Sequence, residues 1–227
     1  MVDKPGSKVY KDRRSFAISY GVQIKAQKAA TPNTLYLWVP IPSSSAQQRI
    51  SQQLGRSMEP FVENYLGSSL FQLKDLQTNN ETVIKISYLV DVYAVETNVK
   101  AQEIKRDSNA PIQTVYTQSS TLIPSDNPEI QKKANLIVGK EKNPYIQAQR
   151  IYEWLTAQGG IRQEPVPYTL IEAMNKQELD AYTATLLFCA MARALNIPAI
   201  PDAGILINKN RETRKHYWAE FWIDGFG

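Results

Sequence analysis

From Phe16 the chain alternates strictly. Phe16, Ile18, Tyr20, Val22 and Ile24 fall on one face, and Ala17, Ser19, Gly21, Gln23 and Lys25 on the other. This is the two-residue period of a strand with one buried side. Leu35, Leu37, Val39 and Ile41 repeat it, and Pro40 and Pro42 close that strand, since proline cannot donate to a ladder. Ser68–Leu76 and Glu81–Thr97 predict further strands, the latter with Ile84, Ile86, Tyr88, Val90 and Val92 on a common face. Turn signals, Ala30-Thr31-Pro32-Asn33 and Thr78-Asn79-Asn80, separate the runs. Several strands with polar outer faces predict a β-sandwich acting as a supporting module.

The period then changes. A stretch rich in Ser, Thr, Gln and Pro, from Lys105 to Asp126, reads as a linker. Asn127-Pro128-Glu129 is a helix start, with proline in the first turn and an acid at the positive end of the dipole. Ile130, Ala134, Ile137 and Val138 form its apolar stripe and Gly139 its stop. Asn143-Pro144 opens a second helix with the stripe Ile146, Ile151, Trp154 and Leu155, ending at Gly159-Gly160. A short helical piece, Thr169–Asn175, follows. Next comes a long apolar helix from Asp180 to Leu195, with Ala184, Leu187, Phe188, Met191 and Leu195 at helical spacing. Asn196 suits a left-handed stop and Pro198 prevents continuation. Ala203–Ile207 and Tyr217–Ile223 read as strands joined by the basic loop Asn208–Lys215, which carries Lys209, Arg211, Arg214 and Lys215. The predicted fold class is α+β: a β-sandwich domain with its linker over residues 1–120, then a central helix packed on an antiparallel sheet over residues 121–227.

Composition narrows the chemistry more than it suggests any. The 227 residues are 43% apolar and 21% charged, and 26 Lys and Arg against 22 Asp and Glu give a net charge of +4. That balance is ordinary for a globular chain. It is too weak and scattered, with no basic-aromatic patch, to predict a nucleic-acid partner. One cysteine, Cys189, excludes an intrachain disulfide. With a single histidine, His216, beside it, no zinc site and no cofactor is expected. No apolar run reaches the roughly 20 residues of a membrane span. The start, MVDKPGSKVYKDRR, has no hydrophobic signal region.

The candidate chemistry lies near the end. A buried helix followed by antiparallel strands, with a histidine opening the second, is a layout for thiol catalysis. A cysteine at the helix N-terminus has its thiolate stabilised by the dipole, and a histidine on the neighbouring strand serves as base. The first helical position here holds Ala181. Cys189 is eight residues on, about 12 Å along the helix and roughly 80° around it. There it reads as a small buried hydrophobe. Trp218 and Trp222 share a face with His216 by alternation and either line a cleft or pack on the central helix.

Five segments resemble the transglutaminase-like superfamily in its bacterial form with an N-terminal β domain. Tyr36-Leu37-Trp38-Val39-Pro40-Ile41-Pro42 is similar to the family's "LWIPLP" strand. Leu122-Ile123-Pro124 with Asn127-Pro128-Glu129-Ile130 resembles its linker and first helix. Ala148–Leu155 is similar to "A-x-x-IYDWV", Leu187–Ala199 to "LF-x-AL-ARALGIPA", and His216–Trp222 to "H-x-W-x-E-F". The resemblance implies a papain- and transglutaminase-like core and a Cys-His-Asp triad. Its histidine falls on His216. Its cysteine falls on Ala181, a vacant nucleophile position, and the glycine two residues earlier on Leu179. Its aspartate is expected after Gly225-Phe226-Gly227, so the core reads as truncated at its C-terminus.

Asp180, Tyr182 and Trp218 are the expected cleft residues. The expected role is a non-catalytic binding or structural module for a peptide or protein, in an extracytoplasmic setting. The alternative is a cysteine-dependent acyltransferase, amidase or peptidase carrying a Cys→Ala change. Leu179 in the glycine position favours loss by descent, since disabling an enzyme by design requires only position 181.

Overall fold

The computed structural model describes residues 8–25, 34–74, 81–104, 111–157, 160–162 and 164–226. The chain divides into two compact units, Lys8–Thr97 and Asn98–Gly227.

The first unit is built from two three-stranded sheets. One has the order β1 (Lys8–Lys25), β6 (Glu81–Thr97), β3 (Gln48–Arg56). The other has the order β2 (Thr34–Pro40), β5 (Ser68–Lys74), β4 (Val62–Tyr65). β1 and β6 run antiparallel along almost their whole lengths, from Lys25 opposite Glu81 to Lys8 opposite Thr97. A bulge between Lys11 and Arg14 breaks the register once, where Asp12 takes a positive φ of 53°. The alternating apolar positions make the core. Val39, Phe71 and Leu73 come from one sheet and Ile84, Ile86, Tyr88 and Val90 from the other. The Tyr20 hydroxyl donates to the Pro40 carbonyl at 2.7 Å, tying the two sheets.

The sequence pattern does not announce β3 or β4. β3 reads QRISQQLGR and is interrupted by two register shifts, so no period of two survives in it. The turn signals at 30–33 and 78–80, and Leu76, lie outside the described residues.

One carboxylate is buried in this unit. Asp91 accepts from Ser15 Oγ at 2.5 Å, Ser51 Oγ at 2.7 Å and Arg13 Nη2 at 2.8 Å. The two serine hydroxyls, with the arginine beyond them, hold its pKa down at about 2.

The second unit is helical around one apolar centre. Its elements are α1 (Pro111–Tyr116), α2 (Pro128–Val138), α3 (Pro144–Thr156), β7 (Ile161–Arg162), α4 (Leu170–Lys176), β8 (Leu179–Asp180), α5 (Ala181–Ala194), β9 (Ala199–Ile207) and β10 (Thr213–Phe221). Asn127 and Asn143 cap α2 and α3, each side-chain oxygen accepting from the two N–H groups beyond its proline. Thr169 and Glu172 form a reciprocal capping box on α4. Gly139 ends α2 at φ +57°, and Asn196 adopts the left-handed φ of +57° expected of a helix stop. α3 ends at Thr156, and Gly159 of its expected stop lies outside the described residues.

α5 is the hub. Every residue from Leu186 to Ala192 is buried, because α2, α3, α4 and the β9–β10 hairpin all pack on it. A helix apolar on all sides needs such an all-round casing. α1 is secured by Gln113, whose Nε2 donates to the Asn196 carbonyl at 2.5 Å, and the turn after it by Arg193, whose Nη1 donates to the Gln118 carbonyl at 2.7 Å.

Candidate functional site

The start of α5 is rigidly prepared. β8 pairs in parallel with β7, Leu179 opposite Ile161 and Asp180 opposite Arg162, and the helix begins at the next residue. Asp180 is the N-cap and is buried. Its Oδ1 accepts from the Thr183 N–H at 2.8 Å, and its Oδ2 from the Val166 N–H at 2.7 Å and Thr183 Oγ1 at 3.2 Å. Three donors on one carboxylate leave it committed to the helix and to the segment before α4. Ala181 is therefore the first helical residue, at the positive end of the dipole. A thiol there would meet the conditions that lower its pKa. The methyl group present has no such chemistry. Leu179 is fully buried in the core cluster, so the position of the expected glycine is filled by packed side chain.

Cys189 offers no substitute. It is buried at the centre of α5, and desolvation pushes its pKa up to about 12, with Arg193 opposing the rise. At that value it is a thiol at any ordinary pH, and an inert one.

The hairpin sets the histidine. His216 lies opposite Gly204, Trp218 opposite Asp202 and Glu220 opposite Ile200. The alternate residues face α5. Tyr217 meets Tyr182 edge to face with centroids 5.3 Å apart, Phe221 lies 5.9 Å from Phe188, and Ala219 packs on the core. Successive strand side chains take opposite faces, so His216, Trp218 and Glu220 belong to the face turned from α5. There the His216 ring stacks on the Trp218 indole at 5.7 Å and 22°. Gly204 makes that arrangement possible, since a Cβ on it would stand 3.1 Å from Trp218 Cζ3 and Cη2. The indole Nε1 lies 3.4 Å from Glu220 Oε1. Burial, and then the neighbouring Glu220, raise the pKa of Asp202 on the same face.

Among the expected residues, the structure thus brings together Tyr182 and the chain neighbour of His216. Ala181 is at the helix start and Asp180 beneath it, while His216 and Trp218 form their own stack. The Gly204–Trp218 fit could not be read from the sequence, where Gly204 is one small residue in a strand. Among the described residues no three His, Cys, Asp or Glu side chains gather as a metal site would require. None of the described helices is long and apolar enough to cross a membrane.

The transglutaminase-like superfamily model matches residues 131–227. That span contains α3, the capped start of α5 and the whole hairpin. Residues 131–227 form a transglutaminase-like domain. The fold extends the likeness to nearly the whole chain. A candidate cysteine protease from Cytophaga hutchinsonii superposes with a TM-score of 0.72 over 96% of this chain and 76% of its own, at 16% identity. The periplasmic domain of TgpA from Pseudomonas aeruginosa gives a TM-score of 0.47 at 12% identity, over 94% of this chain and 68% of its own. At such identity the first likeness speaks for architecture: an α+β chain with a strand-rich N-terminal region and helices packed with sheets. No curated protein sequence matches the chain. The first residue of α5, on which the resemblance in sequence would place the family's cysteine, is Ala181.

Proposed function

We propose that this transglutaminase-like domain is non-catalytic and serves as a binding or structural module. Ala181 carries the reading. The helix N-terminus that would activate a thiol is intact and capped, yet the residue on it has no nucleophilic atom. Two further features support it. Leu179 fills the glycine position with buried hydrocarbon, a change that an engineered knockout would not need. His216 is engaged in a stack on the hairpin face opposite the one that meets α5. The module would take a peptide or protein partner in an extracytoplasmic setting, as the resemblance of its sequence to the bacterial transglutaminase-like superfamily implies.

The test is a combined amide-hydrolysis and amine-incorporation assay on the natural protein at full length. No turnover above buffer is expected. Turnover that disappears in the His216→Ala variant would overturn the reading.

A further inference from the structure

The turn between β4 and β5 is unfavourable to the protein in two ways. Tyr65 pairs with Ser68, which leaves Leu66-Gly67 as a two-residue turn, and both residues have positive φ, 49° and 75°. Such turns favour asparagine or aspartate before the glycine. A bulky side chain with no polar atom is strained there. Leu66 is also 87% exposed, so packing does not offset the strain. The turn is nevertheless held in place. The Ile41 N–H donates to the Gly67 carbonyl at 2.9 Å, and the Asn64 N–H to Ser69 Oγ at 3.2 Å.

Behind Leu66 the outer face of the sheet is aromatic. Trp38 and Tyr65 lie 5.9 Å apart across β5, and Tyr36 and Phe61 lie 6.2 Å apart. These four residues are 48% to 64% exposed. Polarity rises with distance from the turn. Leu66 comes first, then the indole and phenol of Trp38 and Tyr65, then Tyr36, whose hydroxyl accepts from Gln72 Nε2 at 2.7 Å. Lys74, opposite Thr34, ends the face about 20 Å from Ser68. The one other charged residue of the three strands, Glu63, is paired with Arg56 at 2.6 Å.

This ordering identifies the occupant. Three strands of at most seven residues cover roughly 300 Å². A stable protein interface takes about 800 Å² from each partner, so a second copy would be held poorly. A bilayer surface needs no such area. It passes from hydrocarbon to headgroups in the order found along this face, and Trp and Tyr favour the boundary. With no unpaired charge at the turn, entry carries no ionic desolvation penalty.

We propose that the β4–β5 turn inserts into a phospholipid bilayer surface, with Leu66 at the hydrocarbon boundary and Trp38 and Tyr65 among the headgroups. The contact rests on the first unit alone and is independent of position 181.

The probe is unilamellar phosphatidylcholine vesicles, mixed with the whole chain at physiological salt and separated by sedimentation. Partitioning at millimolar lipid is expected, unchanged when the salt is raised severalfold, because no free cation at the turn contributes. Vesicles brominated on their acyl chains should quench tryptophan emission, and Trp38→Phe should remove that quenching. Leu66→Asn should weaken partitioning about tenfold and raise the melting temperature, since asparagine suits the turn. Leu136→Asn, at a residue of α2 that is 75% exposed, should leave partitioning unchanged. Equal sedimentation of the parent and Leu66→Asn proteins, sedimentation with anionic vesicles only, or none at all would each overturn the proposal. So would a lower melting temperature for Leu66→Asn, which would assign the leucine to the fold. Self-association that shields Trp38 without vesicles would give the face to a second copy and overturn it as well.

Discussion

The rings of Tyr182 and Tyr217 meet edge to face with centroids 5.3 Å apart, and each directly follows a residue on which thiol chemistry would turn. Tyr182 follows Ala181 and Tyr217 follows His216. The contact therefore holds the helix start and the strand in register, and by strand alternation it assigns the imidazole to the opposite face. Neither ring is in the deep core, Tyr182 being 44% exposed, so the pair sits where a cleft between helix and hairpin would open.

Placing a sulfur at position 181 separates helix-dipole activation from catalysis. In Ala181→Cys the new thiol should titrate below the usual value of about 8.5, because it sits on the first turn of a capped helix. Alkylation by iodoacetamide across a pH series reads this directly, with mass spectrometry to show that Cys189 stays unmodified. No amide hydrolysis should accompany the reactivity. Hydrolysis that also requires His216 would show that the strand can present its imidazole to α5.

Leu179 should prove more valuable to stability than a glycine in its place would be to chemistry. It is fully buried, and Leu179→Ala should cost about 3 kcal/mol, in line with large-to-small core changes. Urea unfolding monitored by circular dichroism measures this. A cost near zero would mean that the site collapses freely around the gap.

Asp180 is expected to matter through its cap. Asp180→Ala removes acceptors for two N–H groups and one hydroxyl, and should destabilise the second unit by about 2 kcal/mol. Asp180→Asn should recover part of that loss, because the amide oxygen can still accept from the Thr183 N–H. Thermal melts of the two variants beside the parent protein test the ordering.

The first unit should carry a distinct acid sensitivity. The pKa of Asp91 is lowered from 3.8 to about 2 in the folded state. A depressed carboxylate contributes stability that is present above its unfolded pKa and lost as pH falls through the folded value. The window is therefore from about pH 4 down to about pH 2. Melting temperatures of the parent protein should fall more steeply across that window than those of Asp91→Asn, which should start lower at neutral pH. Parallel curves for the two proteins would count against the hydrogen-bonded anion.

Much of this architecture is legible in the residues. Alternation marks β1, β2 and β6, Asn-Pro marks the starts of α2 and α3, and Asn196 marks the end of α5. β3 is hidden because its register shifts erase the period. The phase of β10 is hidden for another reason. Tyr217 and Phe221 are as apolar as Trp218 and Trp222, so the pattern permits either set to face the helix. The packing of Phe221 on Phe188, and the space left by Gly204 for Trp218, decide it. The Asp91 cluster is likewise invisible, since Ser15 and Ser51 come from strands far from it in sequence and polar enough to read as outward-facing.

The pairing of β1 with β6 has a consequence for the chain as it is made. Lys25 cannot find its partner until Glu81 has been synthesised, and Lys8 must wait for Thr97, so β1 stays unsatisfied until the last strand of its sheet is made. Until then β1 presents a long unpaired edge of alternating apolar residues to its surroundings. Its bulge at Asp12 and its flanking charges, Lys8, Lys11, Arg13 and Arg14, interrupt that edge at one end. They would hinder premature pairing between nascent copies, which gives a cluster of surface cations a role during synthesis that the finished fold no longer displays.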